Sequence, residues 1–346
     1  MNAAVSWFAD VGVTDRPTVG GKGGSLGELT RAGIAVPPGF VVTTHGFEQF
    51  LEALEARDPV RTKVTALDPH DLGAATRLSE ELRRRVVEEP MPDAVEQAIR
   101  AAHAKLSPNG EPVAVRSSAT TEDAEDASFA GLQDTFLWVL TADDMVARVR
   151  ECWGSLYSVE SMTYRLKHDF PEEGVAMAVV VQRMVDAMCA GVMFTRSPTT
   201  GDKSVITIEG AWGLGSAVVS GEVTPDRWVL GKITGEITVR DISDKHARQV
   251  PADGGGIHEV ANEEAVRNQP CLTDDQLMAL REVGRKIERH YGKPQDIEWA
   301  LDEGGNVFLL QSRPETVWAT KDAVAPVKPP EDNPLKHVMT IFGGRK

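Results

Sequence analysis

The chain has 346 residues, too many for one small core, which points to two or three packed units. Apolar residues make up 41% and charged residues 26%, as in ordinary globular domains; the net charge of −15 argues against a nucleic-acid binder, whose surface must be basic. No run approaches the ~20 apolar residues that span a bilayer, so no membrane partner is expected.

The start "MNAAVSWFADVG" has no basic patch and no long apolar run, so no signal peptide is expected. Cys152, Cys189 and Cys271 lie far apart and form no CxxC, which fits reduced, buried thiols in a cytoplasmic protein. A short helix is expected over 22–33, closed by Gly33. "IAVPPGFVVTT" (34–44) should be extended, because Pro37 and Pro38 exclude helix. Thr44 can cap a helix with Phe47, Phe50, Leu51 and Leu54 on one face. Helices near 71–88 and 92–106 follow, then strands at 112–116 and 135–140, then one long helix over 142–168.

Beyond that the period turns to 2. Strands are predicted at 174–185, 190–196, 204–210, 226–231 and 236–242. Thr273 caps a helix over 274–291, and strands at 295–301 and 306–313 close the order. The stretch 321–336 contains four prolines and reads as an exposed linker or arm. This order is that of an α+β protein of two lobes with a cleft between them. The lobes are expected over 1–188 and 189–318, with a tail over 319–346.

Four stretches could carry chemistry. In "VGGKGGSLGEL" (19–29), five glycines surround Lys22 ahead of a helix. Glycines let backbone N–H groups approach an anion, the helix start favours negative charge, and Lys22 adds a cation. A flexible loop with a solvated lysine fits equally well. The stretch is no Walker A loop, because no GK[ST] occurs. It also contains Gly23-x-Ser25-x-Gly27, the spacing of a hydrolase nucleophile elbow, although "RPTVGGK" is a poor strand to precede one.

In "VAVRSSATTEDAEDASFAG" (113–131), Arg116 ends an apolar strand. Its guanidinium can fork onto phosphate oxygens or form a structural ion pair. Ser117 to Thr121 are expected to turn the chain out of the sheet, ahead of the acids Glu122, Asp123, Glu125 and Asp126. In "IEGAWGLGSAVVSGEVTPDRW" (208–228), Gly213 and Gly215 mark a tight turn, with no GxGxxG fingerprint.

The fourth stretch is the closing hairpin. A two-residue turn at Gly304–Gly305 sets 303 opposite 306 and, counting outward, Glu298 opposite Gln311. Their Cβ atoms would lie about 5 Å apart, with Arg313 on the same face. Ile297, Trp299, Phe308 and Leu310 would form the core face. A carboxylate and an amide oxygen are hard ligands suited to Mg²⁺, which takes one or two protein oxygens plus nucleotide phosphates. A solvent-facing hydrogen-bonded pair is the alternative. The eight histidines are scattered, with no HExxH or HxH, so cation binding falls to carboxylates.

Together, "GGKGGSLGEL", "VPPGFVVTT", "VAVRSSATTEDAEDASFAGLQDTFL", "VQRMV", "GVMFT", "AWGLG", "HYGKPQDIEWA" and "LLQSRPETV" closely resemble, in this order, the N-terminal ATP-binding half shared by phosphoenolpyruvate synthase, pyruvate phosphate dikinase and rifampicin phosphotransferase. The resemblance covers about residues 7–318. It implies an ATP-grasp fold with ATP between two lobes. Lys22, Arg116 and Arg313 match the family's phosphate-binding cations. Gly131 and Thr135 match the loop over the phosphates, and Gln182 matches a nucleotide contact. Glu298 and Gln311 match its Mg²⁺ ligands.

Such enzymes pass the β-phosphoryl group of ATP to a histidine on a separate domain, leaving AMP and phosphate. "TTHG" (43–46) is not that histidine's motif, since it falls within the ATP-binding half. The resemblance therefore implies a larger partner subunit carrying the histidine and substrate domains, as in phenylphosphate synthase, whose small subunit is similar to this chain. An ATP-binding regulatory module and a part of a longer synthase are the other readings.

Overall fold

The computed structural model describes residues 3–120, 134–316 and 318. Gly131, the four acids Glu122 to Asp126 and the tail 319–346 therefore lie outside the described residues. The order begins β1 (Val5–Trp7), α1 (Arg16–Arg31), β2 (Gly39–Val42), α2 (Thr44–Glu55), α3 (Val60–Thr65), α4 (Leu72–Glu88) and α5 (Asp93–Leu106). It continues with β3 (Val113–Ala119), β4 (Thr135–Val139), α6 (Ala142–Gly154), α7 (Val159–Lys167) and β5 (Met177–Arg183). After these come β6 (Ala187–Phe194), β7 (Val205–Trp212), α8 (Ser216–Val219), β8 (Asp226–Gly231), β9 (Ile237–Asp241), β10 (Ala247–Pro251) and β11 (Ile257–Ala261). The last elements are α9 (Glu264–Arg267), α10 (Asp274–Tyr291), β12 (Gln295–Asp302) and β13 (Val307–Pro314).

Two antiparallel sheets organise these elements. The first has the order β1-β2-β5-β3-β4 and the second β13-β12-β6-β7-β8-β9, with β10–β11 as a separate ribbon. The chain passes from one sheet to the other between Arg183 and Ala187. One face of the first sheet (Val113, Val115, Val179, Val181) packs on helices α2 to α7. Phe47, Phe50, Leu51 and Leu54 of α2 all point into this core, as their helical spacing requires, and Trp153 packs on Phe50 with ring centroids 4.9 Å apart. The opposite face (Val41, Ala178, Val180) packs on Val19 and Leu26 of α1. In the second lobe, Ile297, Trp299, Met193 and Ile208 pack on Leu277, Leu280 and Ile287 of α10. Thr273 and Gln276 cap that helix reciprocally and Gly292 ends it at φ +67°.

The lobes are tied directly. Leu29 and Ile34, just beyond the first-lobe half of α1, belong to the second lobe's core. The N–H of Leu309 on β13 donates to the Ala35 carbonyl at 2.8 Å. From the other side, Gly256 at the ribbon tip donates its N–H to the carbonyl of Trp138 on β4 at 3.0 Å.

Several expectations are corrected. The first helix begins at Arg16 with Pro17 in its first turn, and it is broken at Gly20, whose φ is +70°. Thr43, not Thr44, caps α2 by accepting from the Gly46 N–H. The helix expected over 142–168 is two, because the chain turns at 155–157 and Ser158 caps a new start. The strand expected to stop at 116 continues to Ala119 with every residue buried. Ser117 and Ser118 stay in the sheet because their hydroxyls are satisfied internally, by the carbonyls of Asp134 and Val19. The hydrolase elbow is excluded: Ser25 is buried inside α1 and donates to the Ser312 carbonyl at 2.6 Å. The elements β1, α3, α8, β10, β11 and α9 had no clear sequence signal.

His103 sits in the first core with its Nε2 lacking any partner among the described residues. Burial, and then the nearby Arg100 charge, push its imidazole below the ordinary range. The folded state therefore resists a proton that the unfolded chain accepts. Stability is complete above the ordinary imidazole range and is lost as pH falls through it towards the lower folded value. Between about pH 7.5 and 5.5, the thermal midpoint of the natural protein should fall further than that of His103→Leu. Parallel falls in thermal scans of the two proteins would remove His103 from the account.

Candidate active site

Strand β3 supplies the first half of the site by its alternation. Val113, Val115 and Ala119 face the helical core, while Ala114 and Arg116 face the cleft between the lobes. Lys22 comes from α1, Thr135 from β4 opposite Arg116, and Gln182 from β5 opposite Ala114. From the other lobe come Glu298, Gln311 and Arg313. All eight residues line one cavity of about 380 Å³. Its apolar part is formed by Met184, Val185, Leu214 and Leu310, among others. A cavity lined by both apolar and cationic side chains suits a ligand with an apolar part and an anionic part.

The hairpin β12–β13 pairs Glu298 with Gln311, as expected, but by a different route. The turn has three residues, Glu303 to Gly305, closed by hydrogen bonds between Asp302 and Asn306, with Gly305 at φ +78°. Trp299 therefore faces Leu309, and a bulge between Glu298 and Trp299 restores the outer register. The bulge also corrects the core face. Leu309 joins Ile297 and Trp299 in the core, while Phe308 and Leu310 pack towards the cleft with Ala300.

Arg116 is the centre of the arrangement. Its Nη1 donates to the Leu310 carbonyl at 2.9 Å. Its Nη2 lies 2.8 Å from both Glu298 Oε2 and Gln311 Oε1. Of the two sequence alternatives the structure shows the ion pair, placed in the wall of the cleft. Arg116 is 9% exposed and spans the lobes. The two predicted metal ligands converge on the Arg116 guanidinium, which engages both oxygens here. A carboxylate and an amide oxygen are hard donors of the kind Mg²⁺ takes, so the donor types fit the ion although Arg116 holds them in this structure. Among the described residues no group of three or more His, Cys, Asp or Glu could hold a metal, so further ligands would have to come from phosphate or water.

Gln182 is buried and donates from Nε2 to the Pro37 carbonyl at 3.2 Å. Arg313 donates from Nε to Asp296 Oδ2 at 2.9 Å. Burial raises the Asp296 carboxyl, with Arg313 opposing it. Asp296, Glu298, Arg313 and Glu209 line a second cavity of about 420 Å³ that adjoins the first. Asp296 was not singled out in the sequence, although counting outward from Glu298–Gln311 sets it opposite Arg313. Glu209, raised by burial against the opposing Arg227 charge, gave no signal.

The chain is thus an α+β protein of two lobes with a cationic and amide-lined cleft between them. The family described as pyruvate phosphate dikinase, AMP/ATP-binding domain, matches residues 16–333, and the chain belongs to it. It is 42% identical over 316 residues to a probable phosphoenolpyruvate synthase of Methanothermobacter thermautotrophicus, covering 90% of this chain and 46% of that protein. It is 43% identical over 310 residues to a rifampicin phosphotransferase of a Streptomyces species, covering 89% and 35%. A phosphoenolpyruvate synthase of Pyrococcus furiosus is 38% identical over 356 residues, covering 90% and 44%. The chain thus spans less than half the length of each of these relatives.

Proposed function

We propose that the chain binds ATP with Mg²⁺ between its lobes and activates it for transfer of the β-phosphoryl group to a histidine on a partner subunit. ATP, the imidazole and water would give AMP, phosphate and phosphohistidine. Lys22, Arg116 and Arg313 hold the phosphates in this reading, with Thr135 of β4 beside them, and Gln182 contacts the nucleotide; Gly131 is proposed to join them. With Arg116 turned from them to the phosphates, Glu298 and Gln311 would hold Mg²⁺, which would neutralise part of the polyphosphate charge. Phosphoryl transfer asks the protein chiefly for positioning and charge stabilisation, so a site without a nucleophile of its own is sufficient.

The observation that carries this reading is that Lys22, Arg116, Gln182, Glu298, Gln311 and Arg313, drawn from both lobes, line one cavity. Among the described residues no histidine lines the cleft, which supports a nucleophile arriving from outside it. The two-subunit arrangement of phenylphosphate synthase is the version we favour, with the acceptor chain encoded in a neighbouring reading frame. The test is incubation with β-labelled ATP and that chain. Label on the partner, with AMP and phosphate formed, is expected. An unlabelled partner and unchanged ATP would sink the proposal. Adding phenol, pyruvate or rifampicin to the labelled partner then identifies the final acceptor.

A further inference from the structure

Lys22 owes its place to a break in its own helix. Gly20 has φ +70° and ψ 177°, so α1 stops there and starts again at Gly21. A new helix start has N–H groups with no partner inside the helix, and a side chain just before the start normally accepts from one of them. Gly20 stands at that position and has no side chain.

Ser118, distant in sequence, takes over the task. Its Oγ accepts from the Gly23 N–H at 3.2 Å and donates to the Val19 carbonyl at 3.0 Å. One hydroxyl thus joins both sides of the break and secures them to β3. Ser118 is 0% exposed, so water has no access to replace it. The contact is close enough to dictate the glycine. A Cβ on Gly20 would lie 2.1 Å from the Ser118 carbonyl oxygen and 2.3 Å from its Oγ. Ser118 stands two residues after Arg116 on the same strand. It therefore sets the distance between the helix start bearing Lys22 and the strand bearing Arg116.

We propose that Ser118 is a positioning residue that holds Lys22 at the phosphate end of the cleft; this rests on the nucleotide reading above. Without the hydroxyl, the Gly23 N–H and Val19 carbonyl lose their partner, and the helix start is released from the strand. Lys22 then loses its fixed relation to Arg116, which lowers affinity for polyphosphate.

The experiment is a double-mutant cycle read by calorimetry with α,β-methylene ATP and Mg²⁺. Ser118→Ala is expected to weaken binding about tenfold, equivalent to about 1.4 kcal/mol. In a Lys22→Met background the same change should weaken it by less than about twofold, because nothing remains to be positioned. Equal weakening in both backgrounds, or none in either, would overturn the proposal. Ser118→Cys keeps a polar atom at the γ position and carries the same cycle if the alanine variant does not fold. Failure of the natural protein itself to bind the analogue would instead defeat the nucleotide reading, and the proposal with it.

Discussion

Arg116→Ala is expected to lower ATP-dependent phosphoryl transfer by about 10²–10³-fold or more, the range seen when one charge-stabilising donor is removed from a preorganised site. The structure adds a second consequence. Arg116 bonds Glu298, Gln311 and the Leu310 carbonyl across the cleft. The alanine variant leaves Glu298, only 24% exposed at its side chain, without its cation. The lobes should therefore loosen as well, with a stability loss of about 1–3 kcal/mol. Arg116→Lys separates the two effects. It keeps the charge but cannot span the three acceptors that the planar fork reaches, so transfer should be partly restored and stability less so. Radiolabel transfer and thermal scans on the same preparations read both. Transfer by Arg116→Ala within tenfold of normal would remove Arg116 from the phosphate site.

The second large effect lies far from the cleft. Lys245 and Asp226 are both fully buried, with Nζ 2.5 Å from Oδ1. Asp226 also accepts from the backbone N–H groups of Ser243 and Cys271, and Asn262 donates to the Lys245 carbonyl. This cluster joins the start of β8 to the segments leading into β10 and α10. Lys245→Met should leave a buried carboxylate facing only neutral donors. Breaking one side of such a pair costs about 3–5 kcal/mol. In a lobe of this size that corresponds to a midpoint lowered by roughly 10 °C. Lys245→Met combined with Asp226→Asn should recover most of the loss, since removing both charges is often nearly neutral. A double variant no more stable than the single one would mean that the pair does not act as a unit.

Much of this was legible because it depends on neighbours in sequence. The apolar face of α2, the Thr273 cap of α10 and the alternation of β12 and β13 are short-range patterns. They emerged within a residue or two. The pairing of Glu298 with Gln311 was right although the turn was misjudged, because the bulge at Glu298 offsets the extra loop residue. No local pattern marks such a bulge. It accompanies the burial of Trp299 and Leu309, directly paired, in one core. The ribbon β10–β11 was missed because its strands are short and mostly half-exposed.

The sequence by itself determined the kind of site. Its order of motifs specified the family, and local strand spacing paired Glu298 with Gln311, because both depend on residue types at short range. Only the tertiary structure decided how those residues meet. Arg116 lies against Glu298 and Gln311, 182 and 195 positions away, and the hydroxyl of Ser118 reaches Gly23 across 95. Such contacts are set by how two sheets and a broken helix pack together, and that packing minimises buried unsatisfied groups across the whole chain rather than within any one segment.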